Sequence, residues 1–348
     1  MRKLLILAIC AVAFIPMLSK KTDYIDVTNV IFVNSVAIDY NEESEQYVFY
    51  FYVLNNFNLA KAELSSSNID TLAYVAKIES KSFAEASNEI RKMANVFIHY
   101  HHLKTVILTK NFFSKDRVWD FYTFIKDHIE IYPTFYVFAT DSKIEDIYNI
   151  ENLSEISAYH TILLNPDIIK TYKLITYIDL VKSILLDNYT LKIPHISSVE
   201  DVFSKQGESY LALTIDGYSI FHKQELKQTY LYEKLPLLKW MLELYNVTYT
   251  VDELNLYIKE GNYVIKQKGN QCVITYHISG THIHNYKDIP LDEEKELAID
   301  KMLTELKQFK SFMDAANIDI FNINYQFHQT GDYYKNVETR FEVRLDSN

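Results

Sequence analysis

Three histidines near the end of the sequence, His277, His282 and His284, have a residue type and spacing that could do chemistry. Imidazole nitrogens are common zinc ligands, and a site with three of them keeps a fourth position open for the water of a catalytic zinc. This group therefore raises the hypothesis of a metal-dependent hydrolase.

The hypothesis depends on a hairpin at Ser279-Gly280. A two-residue turn there places His277 opposite His282, with His284 two residues further along the same face. The alternative is that the outer face of a half-buried sheet is simply polar. We favour this alternative, because the sequence places no carboxylate that would orient the imidazoles. We therefore predict no metal site. His277, His282 and His284 would be the ligands if the protein did bind a metal.

A second group, His99, His101 and His102, lies in FIHYHHLKTVILT, just ahead of an apolar run. In an extended segment His99 and His101 share a side, and a metal would need ligands from elsewhere. A junction between a helix and a strand also gives histidines terminal carbonyl groups to bond. We favour the structural role here too.

Other signatures of chemistry are missing from the sequence. All six glycines follow residue 206, and no pair has the spacing of a phosphate-binding loop. The motifs G-x-S-x-G and H-E-x-x-H are absent. The net charge is −11, with scattered cations, which argues against nucleic acid as a partner. We predict no catalytic residue, no cofactor and no enzymatic activity.

The amino terminus has the features of an export signal. A basic start precedes an apolar run from Leu4 to Leu18. As a helix this run spans about 22 Å, short of the roughly 30 Å of a hydrocarbon core. Residues 1–21 therefore predict a secretory signal or a marginal membrane anchor. Leu7 to Cys10 is similar to a bacterial lipobox, although Ile9 is not small, so Cys10 is the candidate lipid anchor.

The remaining sequence divides into two parts with different periodicity. Residues 22–195 predict an α/β domain, with strands at 30–39, 46–54, 105–108 and 134–140 and helices at 83–97, 118–129 and 143–150. Residues 151–190 look mainly helical. The polar stretch 194–207 predicts the connection between the domains.

Residues 205–346 predict an α+β domain in which a long helix lies on an antiparallel sheet. Asp216-Gly217, Gly269-Asn270 and Ser279-Gly280 are short hairpin signals. A helix near 232–244 is expected. Over 292–315 a helix carries its apolar residues on one stripe, formed by Ala298, Met302, Leu306, Phe309 and Met313. The fold class is therefore mixed α/β and α+β.

The order of several segments resembles the Ger(x)C family, the C subunits of spore germinant receptors. The segments are VAID at 36–39, SFAEASNEIRK at 82–92, HLKTVILT at 102–109 and TFYVFAT at 134–140. The second part is similar to the C-terminal domain of that family through LTIDGYSIFHKQELKQTYLYEKLPLLKWM at 213–241 and DIFNINYQF at 319–327. Family members usually carry a glycine after the Asp-x-Phe, where this chain has Asn322.

The resemblance implies an N-terminal domain over 22–195 of the type found in spore germination proteins, and a GerAC-like domain over 205–346. It also implies a non-catalytic component that acts in receptor assembly or signalling. Its partners would be two integral membrane subunits, the A- and B-type germination proteins. It would lie at the extracytoplasmic face of the spore inner membrane, with Cys10 as the candidate for a lipid anchor. An exported metal-dependent hydrolase and a small-molecule binding protein are the alternatives.

Overall fold

A computed structural model gives the fold of the chain as two β-sheets with helices packed on them. The residues that the structure describes are 30–54, 73–94, 97–127, 131–150, 172, 174–205, 208–235, 237–242, 247–251, 254–284, 291–329 and 331–347. Residues 1–21 and Cys10 lie outside this set. The mixture of helix and strand confirms the predicted fold class.

The first sheet has nine strands among the residues that the structure describes. They are β1 (Val30–Asn41), β2 (Gln46–Leu54), β3 (Ala73–Ser80), β4 (Phe97–His99), β5 (Thr105–Thr109), β6 (Tyr136–Thr140), β7 (Thr190–Lys205), β8 (Glu208–His222) and β9 (Glu225–Leu231). The strand order is β3-β2-β1-β5-β6-β7-β8-β9, and β4 pairs with β1. β5 is buried along its whole length, because helices cover both faces of the sheet there.

In the described part of the chain, four helices cover this sheet: α1 (Phe83–Ala94), α2 (Lys115–Asp127), α3 (Ile144–Tyr148) and α4 (Tyr177–Leu185). Buried residues of α1, α2 and α4 share one core with the sheet, and α3 packs into a separate core. The start of α1 is set by Ser82, whose hydroxyl accepts the Glu85 N–H at 3.2 Å. Thr176 and Asp179 form a capping box at α4.

The second sheet, where the structure describes it, has four strands: β10 (Val247–Val251), β11 (Leu254–Lys268), β12 (Gln271–His284) and β13 (Glu338–Ser347). The helices of this part are α5 (Leu238–Met241), α6 (Leu291–Ala315), α7 (Ile323–Gln326) and α8 (Tyr333–Asn336). The apolar stripe of α6 is fully buried, as predicted. β13 joins β12 in parallel, so the sheet is not wholly antiparallel.

Two of the three predicted hairpins are wrong. The turn at Gly269-Asn270 is confirmed, since Lys268 pairs with Gln271 across it. Asp216-Gly217 and Ser279-Gly280, however, lie inside the continuous strands β8 and β12. A Cβ atom on Gly217 would lie 2.2 Å from the Tyr230 carbonyl oxygen, and one on Gly280 would lie 2.6 Å from the Tyr257 oxygen. These glycines permit a close approach of neighbouring backbones and not a turn.

The correction at Ser279-Gly280 changes the positions of the candidate histidines. β12 runs through all three, with His277 paired to Asn262 and His282 paired to Leu256. Five steps along an extended strand separate the Cα atoms of His277 and His282 by about 16 Å. The predicted position of His277 opposite His282 is therefore wrong.

The predicted connection over 194–207 is also wrong where the structure describes it, because β7 extends to Lys205. Its pairing with β8 places strands from both sides of this stretch in one sheet. The helix expected near 232–244 is reduced to α5. The division into domains over 22–195 and 205–346 stays a prediction.

We expect Gly217→Ala to lower the free energy of unfolding by at least about 2 kcal/mol, because the added methyl group meets the backbone of β9 in a filled sheet. The matched change Gly269→Asn should stay within about 0.5 kcal/mol, because asparagine tolerates the positive φ at this exposed turn. Urea unfolding followed by circular dichroism measures both values. Equal midpoints for the two variants would contradict this account of β8.

Candidate functional site

Metal-binding chemistry finds no support in the described residues. Among them, no group of three or more His, Cys, Asp or Glu side chains is placed to hold a metal ion. His282 and His284 are described only as positions in β12. The side chain of His277 is half-buried.

The thiols and the leader were also candidate sites. Cys272 is fully buried in β12, and burial raises the pKa of its thiol to about 11, which keeps it protonated and unreactive. Cys10, the candidate lipid anchor, lies outside the described residues. None of the helices that the structure describes is long and apolar enough to cross a bilayer.

The upstream histidines contact aromatic rings. The rings of Phe32 and His102 meet edge to face at 4.6 Å, and those of His101 and Tyr132 lie 5.5 Å apart in the same manner. His99 belongs to β4, and its ring lies 5.7 Å from that of His101. The histidines therefore pack against aromatic side chains at the start of the first sheet.

A partly buried polar cluster lies where β6 meets β7. These strands share one register pair, Ala139 with His195. The imidazole Nδ1 of His195 lies 2.7 Å from an Asp216 carboxylate oxygen, and the Ser197 hydroxyl donates to the other oxygen at 2.6 Å. The bulge at Asp216 in β8 turns its side chain to these partners.

This cluster lacks the geometry of a nucleophile with its base. In a catalytic triad the serine hydroxyl contacts the histidine, which in turn contacts the carboxylate. Here Ser197 donates to Asp216 instead. The Nε2 atom of His195 has no hydrogen-bond partner in the described part of the chain, and the nearest carboxylate, that of Asp141, is 3.9 Å away. The cluster joins strands, and its geometry does not favour acyl transfer.

The most elaborate polar arrangement connects the two sheets. Asn322, between β13 and the long helix in sequence, reaches the first residue of β7. The Thr190 N–H donates to the Asn322 side-chain oxygen at 2.5 Å, and the Asn322 amide donates back to the Thr190 carbonyl at 2.9 Å. One side chain thus satisfies both backbone groups at the free edge of a strand. We call this pair the strand hook.

The backbone at Asn322 explains why an asparagine stands there. Its φ of 56° and ψ of 38° are left-handed, a region that glycine enters most readily and asparagine next. The family resemblance places a glycine at this position. Asn322 keeps the conformation that a glycine would allow and adds the two hydrogen bonds of the strand hook.

The segment around the strand hook is held by buried polar groups. Asp319 is 2% exposed, and its carboxylate accepts the N–H groups of Ile323 at 2.9 Å and Asn324 at 2.7 Å. Burial raises the pKa of Asp319 although these hydrogen bonds oppose the shift. The side-chain amide of Asn324 donates to the Gly331 carbonyl, and its oxygen accepts the Tyr334 N–H. These contacts fix the backbone that presents Asn322.

Further contacts between the two sheets surround the strand hook. The Lys192 ammonium group donates to the Ile320 carbonyl at 2.9 Å, and Asn188 donates to Gln329 at 3.0 Å. The rings of Tyr189 and Tyr325 meet edge to face at 4.9 Å. Polar and aromatic contacts together therefore join the end of α4 and the start of β7 to the DIFNINYQF segment.

A cleft of about 250 Å³ opens at this junction, lined by residues of both sheets and of the segments beside them, among them Tyr189, Tyr263 and Tyr325. It is slightly smaller than the roughly 300–1,000 Å³ typical of pockets for drug-sized ligands. Two lysines also line it, but Lys182 already pairs with Asp179 at 3.0 Å and Lys192 with Ile320. The cleft has room for a small ligand, but both of its lysines are already engaged in contacts within the protein.

Sequence reasoning missed this junction. Thr190 and Asn322 are 132 residues apart, and neither belongs to a motif of catalysis or binding. Two signals pointed toward it: the resemblance of DIFNINYQF to a family segment, and an asparagine where a glycine is usual. Neither signal identifies the strand that the asparagine meets.

Comparison with known proteins supports the resemblance. A sequence model described as the spore germination protein N-terminal domain matches residues 23–221. Among solved structures, one titled "Crystal Structure of the GerBC protein" is 13% identical, with a TM-score of 0.45, and the match covers 90% of this chain and 96% of that one. A search of curated proteins finds no match.

We expect Asn322→Asp to lower the free energy of unfolding by about 3 kcal/mol, because a buried carboxylate would face the Thr190 carbonyl without a donor. The control is Asn317→Asp, an exposed position that also has a positive φ, 59°. Its carboxylate would still accept from Lys335. Urea unfolding of both variants tests the strand hook, and equal losses would contradict it.

We expect His222 to make the fold sensitive to acid. It is buried, and its ring lies 2.9 Å from the Thr190 hydroxyl. Burial, and then the charges of Lys223 and Lys227, lower its pKa from 6.5 to about 4. A lowered pKa favours the neutral ring in the folded state, so its contribution is present above pH 6.5 and is lost as the pH falls toward 4.

Between pH 7.5 and 4.5, the free energy of unfolding of the unmodified chain should therefore fall by about 2.5 kcal/mol more than that of His222→Gln. His101→Gln, which changes an exposed histidine, should follow the unmodified chain. Urea unfolding at the two pH values measures the difference. Parallel pH profiles for the unmodified chain and His222→Gln would show that His222 does not carry this sensitivity.

Proposed function

The chain belongs to the family of spore germination proteins that carry this N-terminal domain, and from that premise we propose that it is the C component of a germinant receptor. The observation that carries the proposal is the family match, which covers more than half of the chain. The resemblance of residues 213–241 and 319–327 to the C-terminal domain of the Ger(x)C family adds support from the part that the match leaves out.

The proposed role is non-catalytic and lies in receptor assembly or in passing the signal of a nutrient. The arrangement of Ser197, Asp216 and His195 supports this, because the serine is bonded to the carboxylate and not to the histidine. The strand hook supports it as well, because both polar groups of the Asn322 side chain form hydrogen bonds that join two parts of one chain. The partners would be two integral membrane subunits, the A- and B-type germination proteins.

The proposed location is the extracytoplasmic face of the spore inner membrane. The apolar run from Leu4 to Leu18 supports export, and a lipid on Cys10 would add an anchor. A single short anchor binds a membrane only marginally, so contacts with the partner subunits would contribute to retention.

A small-molecule binding protein is the second candidate, favoured by the cleft at the junction. In that case the ligand would be small and would lie among the tyrosines that line the cleft. A metal-dependent hydrolase has no comparable support, because β12 does not bring His277 opposite His282.

Co-purification tests the proposal. We expect the tagged full-length chain, solubilised from spore membranes in mild detergent, to retain two polytopic membrane proteins in comparable amounts. Asn322→Asp should reduce the rate of nutrient-triggered germination severalfold, because the junction is weakened, whereas Asn317→Asp should leave it unchanged. Mass spectrometry and loss of spore refractility measure the two effects. Recovery of the chain without any polytopic protein would refute the receptor assignment.

A further inference from the structure

The described structure begins at Val30, the first residue of β1, at one end of the strands of the first sheet. The apolar run of the leader ends at Leu18, and β1 begins at Val30. The residues between them can span at most about 40 Å when fully extended. A leader held in a membrane would therefore keep the start of β1 near that membrane.

Several segments converge on the edge where β1 begins. β4, β5 and β6 run in the direction of β1 or of its parallel neighbour; β4 begins opposite Val30, whereas β5 and β6 begin at the level of Ser35, five residues further along β1. Val30 pairs directly with Phe97 at the start of β4. α1 and α2 run from the opposite edge back toward it, so their last turns lie here too.

This edge exposes large apolar side chains. Met93 in the last turn of α1 is 77% exposed, Phe97 is 53% exposed and Tyr132 is 55% exposed. The ring contacts of Tyr132 with His101 and of Phe32 with His102 hold the neighbouring side chains in place. We call the surface formed by Met93, Phe97, His101, His102 and Tyr132 the entry edge.

The charge around the entry edge is mostly positive, although the whole chain carries −11. Four exposed cations belong to it: Arg91, Lys92, Lys104 and Lys126. Among the described residues, the exposed carboxylates in the same helix turns, or one turn away, are those of Glu89 and Asp127. An exposed aromatic surface bordered by cations has the chemistry that fits a layer of anionic headgroups over hydrocarbon.

We infer that the entry edge rests on an anionic lipid surface. Tyr132 and Phe97 lie at the level of the headgroups, Met93 enters the boundary with the acyl chains, and the cations pair with lipid phosphates. Each cation near such a surface strengthens the attraction to it. The contact supplies the second signal that a marginal anchor needs for stable binding. This inference rests on the proposed membrane location of the chain.

Quenching of tryptophan fluorescence by brominated lipid tests the depth of the edge. The probe is Phe97→Trp in the full-length chain, bound to vesicles of phosphatidylglycerol and phosphatidylcholine with or without bromine on the acyl chains. The control is Phe312→Trp, which changes an equally exposed apolar ring on α6. The signal of the unmodified chain, which has Trp119 and Trp240, is subtracted from both.

We expect bromine to quench the added emission of Phe97→Trp at least twofold and to leave that of Phe312→Trp unchanged. Charge reversal at the edge, Lys92→Glu, should reduce the quenching measured for Phe97→Trp. Lys81→Glu, at the other end of α1, should not. Vesicles of phosphatidylcholine alone should give weaker quenching, because they lack the anionic headgroup.

Equal quenching at positions 97 and 312, or none at position 97 while the chain stays bound to vesicles, would overturn the inference. Failure of the full-length chain to bind vesicles would also overturn it. Neither result decides the receptor assignment, since co-purification with the polytopic subunits measures that separately.

Discussion

Strand β8 is the element on which the packing of the described residues depends, because each of their three hydrophobic cores takes residues from it. Phe221 belongs to the core under α1, α2 and α4, Ile215 to the core under α3, and Ile220 to the core that includes α6. A strand between two neighbours can serve several layers only if its backbone stays continuous. Gly217 permits this because it has no Cβ atom. A Cβ at this position would lie 2.2 Å from the Tyr230 carbonyl oxygen, which is too close for any side chain.

The strand hook fixes the position and angle at which the packed surfaces meet. Apolar contacts hold two surfaces together without fixing their register, whereas two hydrogen bonds from one amide fix both position and angle. Phe321 and Ile323 are buried in the second core, and Asn322 between them turns toward Thr190. Thr190 also contacts His222 on β8. The junction therefore couples the DIFNINYQF segment to the same strand that the cores share.

The sequence predicted those features that a local pattern determines. The stripe from Ala298 to Met313 required a helix, and Gly269-Asn270 required a tight turn, since both signals act within a few residues. The glycines at 217 and 280 carry the same local signal as Gly269, but neighbouring strands decide their role, and the sequence does not state which strands those are. For the same reason the strand hook, which joins residues 132 apart, was beyond reach.

The first sheet has its fewest paired residues between β6 and β7, where only Ala139 and His195 are paired. Side-chain hydrogen bonds concentrate there: Thr140 donates to the Ile196 carbonyl at 2.7 Å, and the Ser142 hydroxyl accepts from Ser198 at 3.1 Å. The strands on one side carry the entry edge, and those on the other side carry the strand hook. This seam connects the two sides beside the core under α1, α2 and α4, which also takes Leu191, Ile193 and Phe221 from β7 and β8. The side chains of Thr140 and Ser142 give the seam a defined geometry where backbone pairing alone would leave it weak.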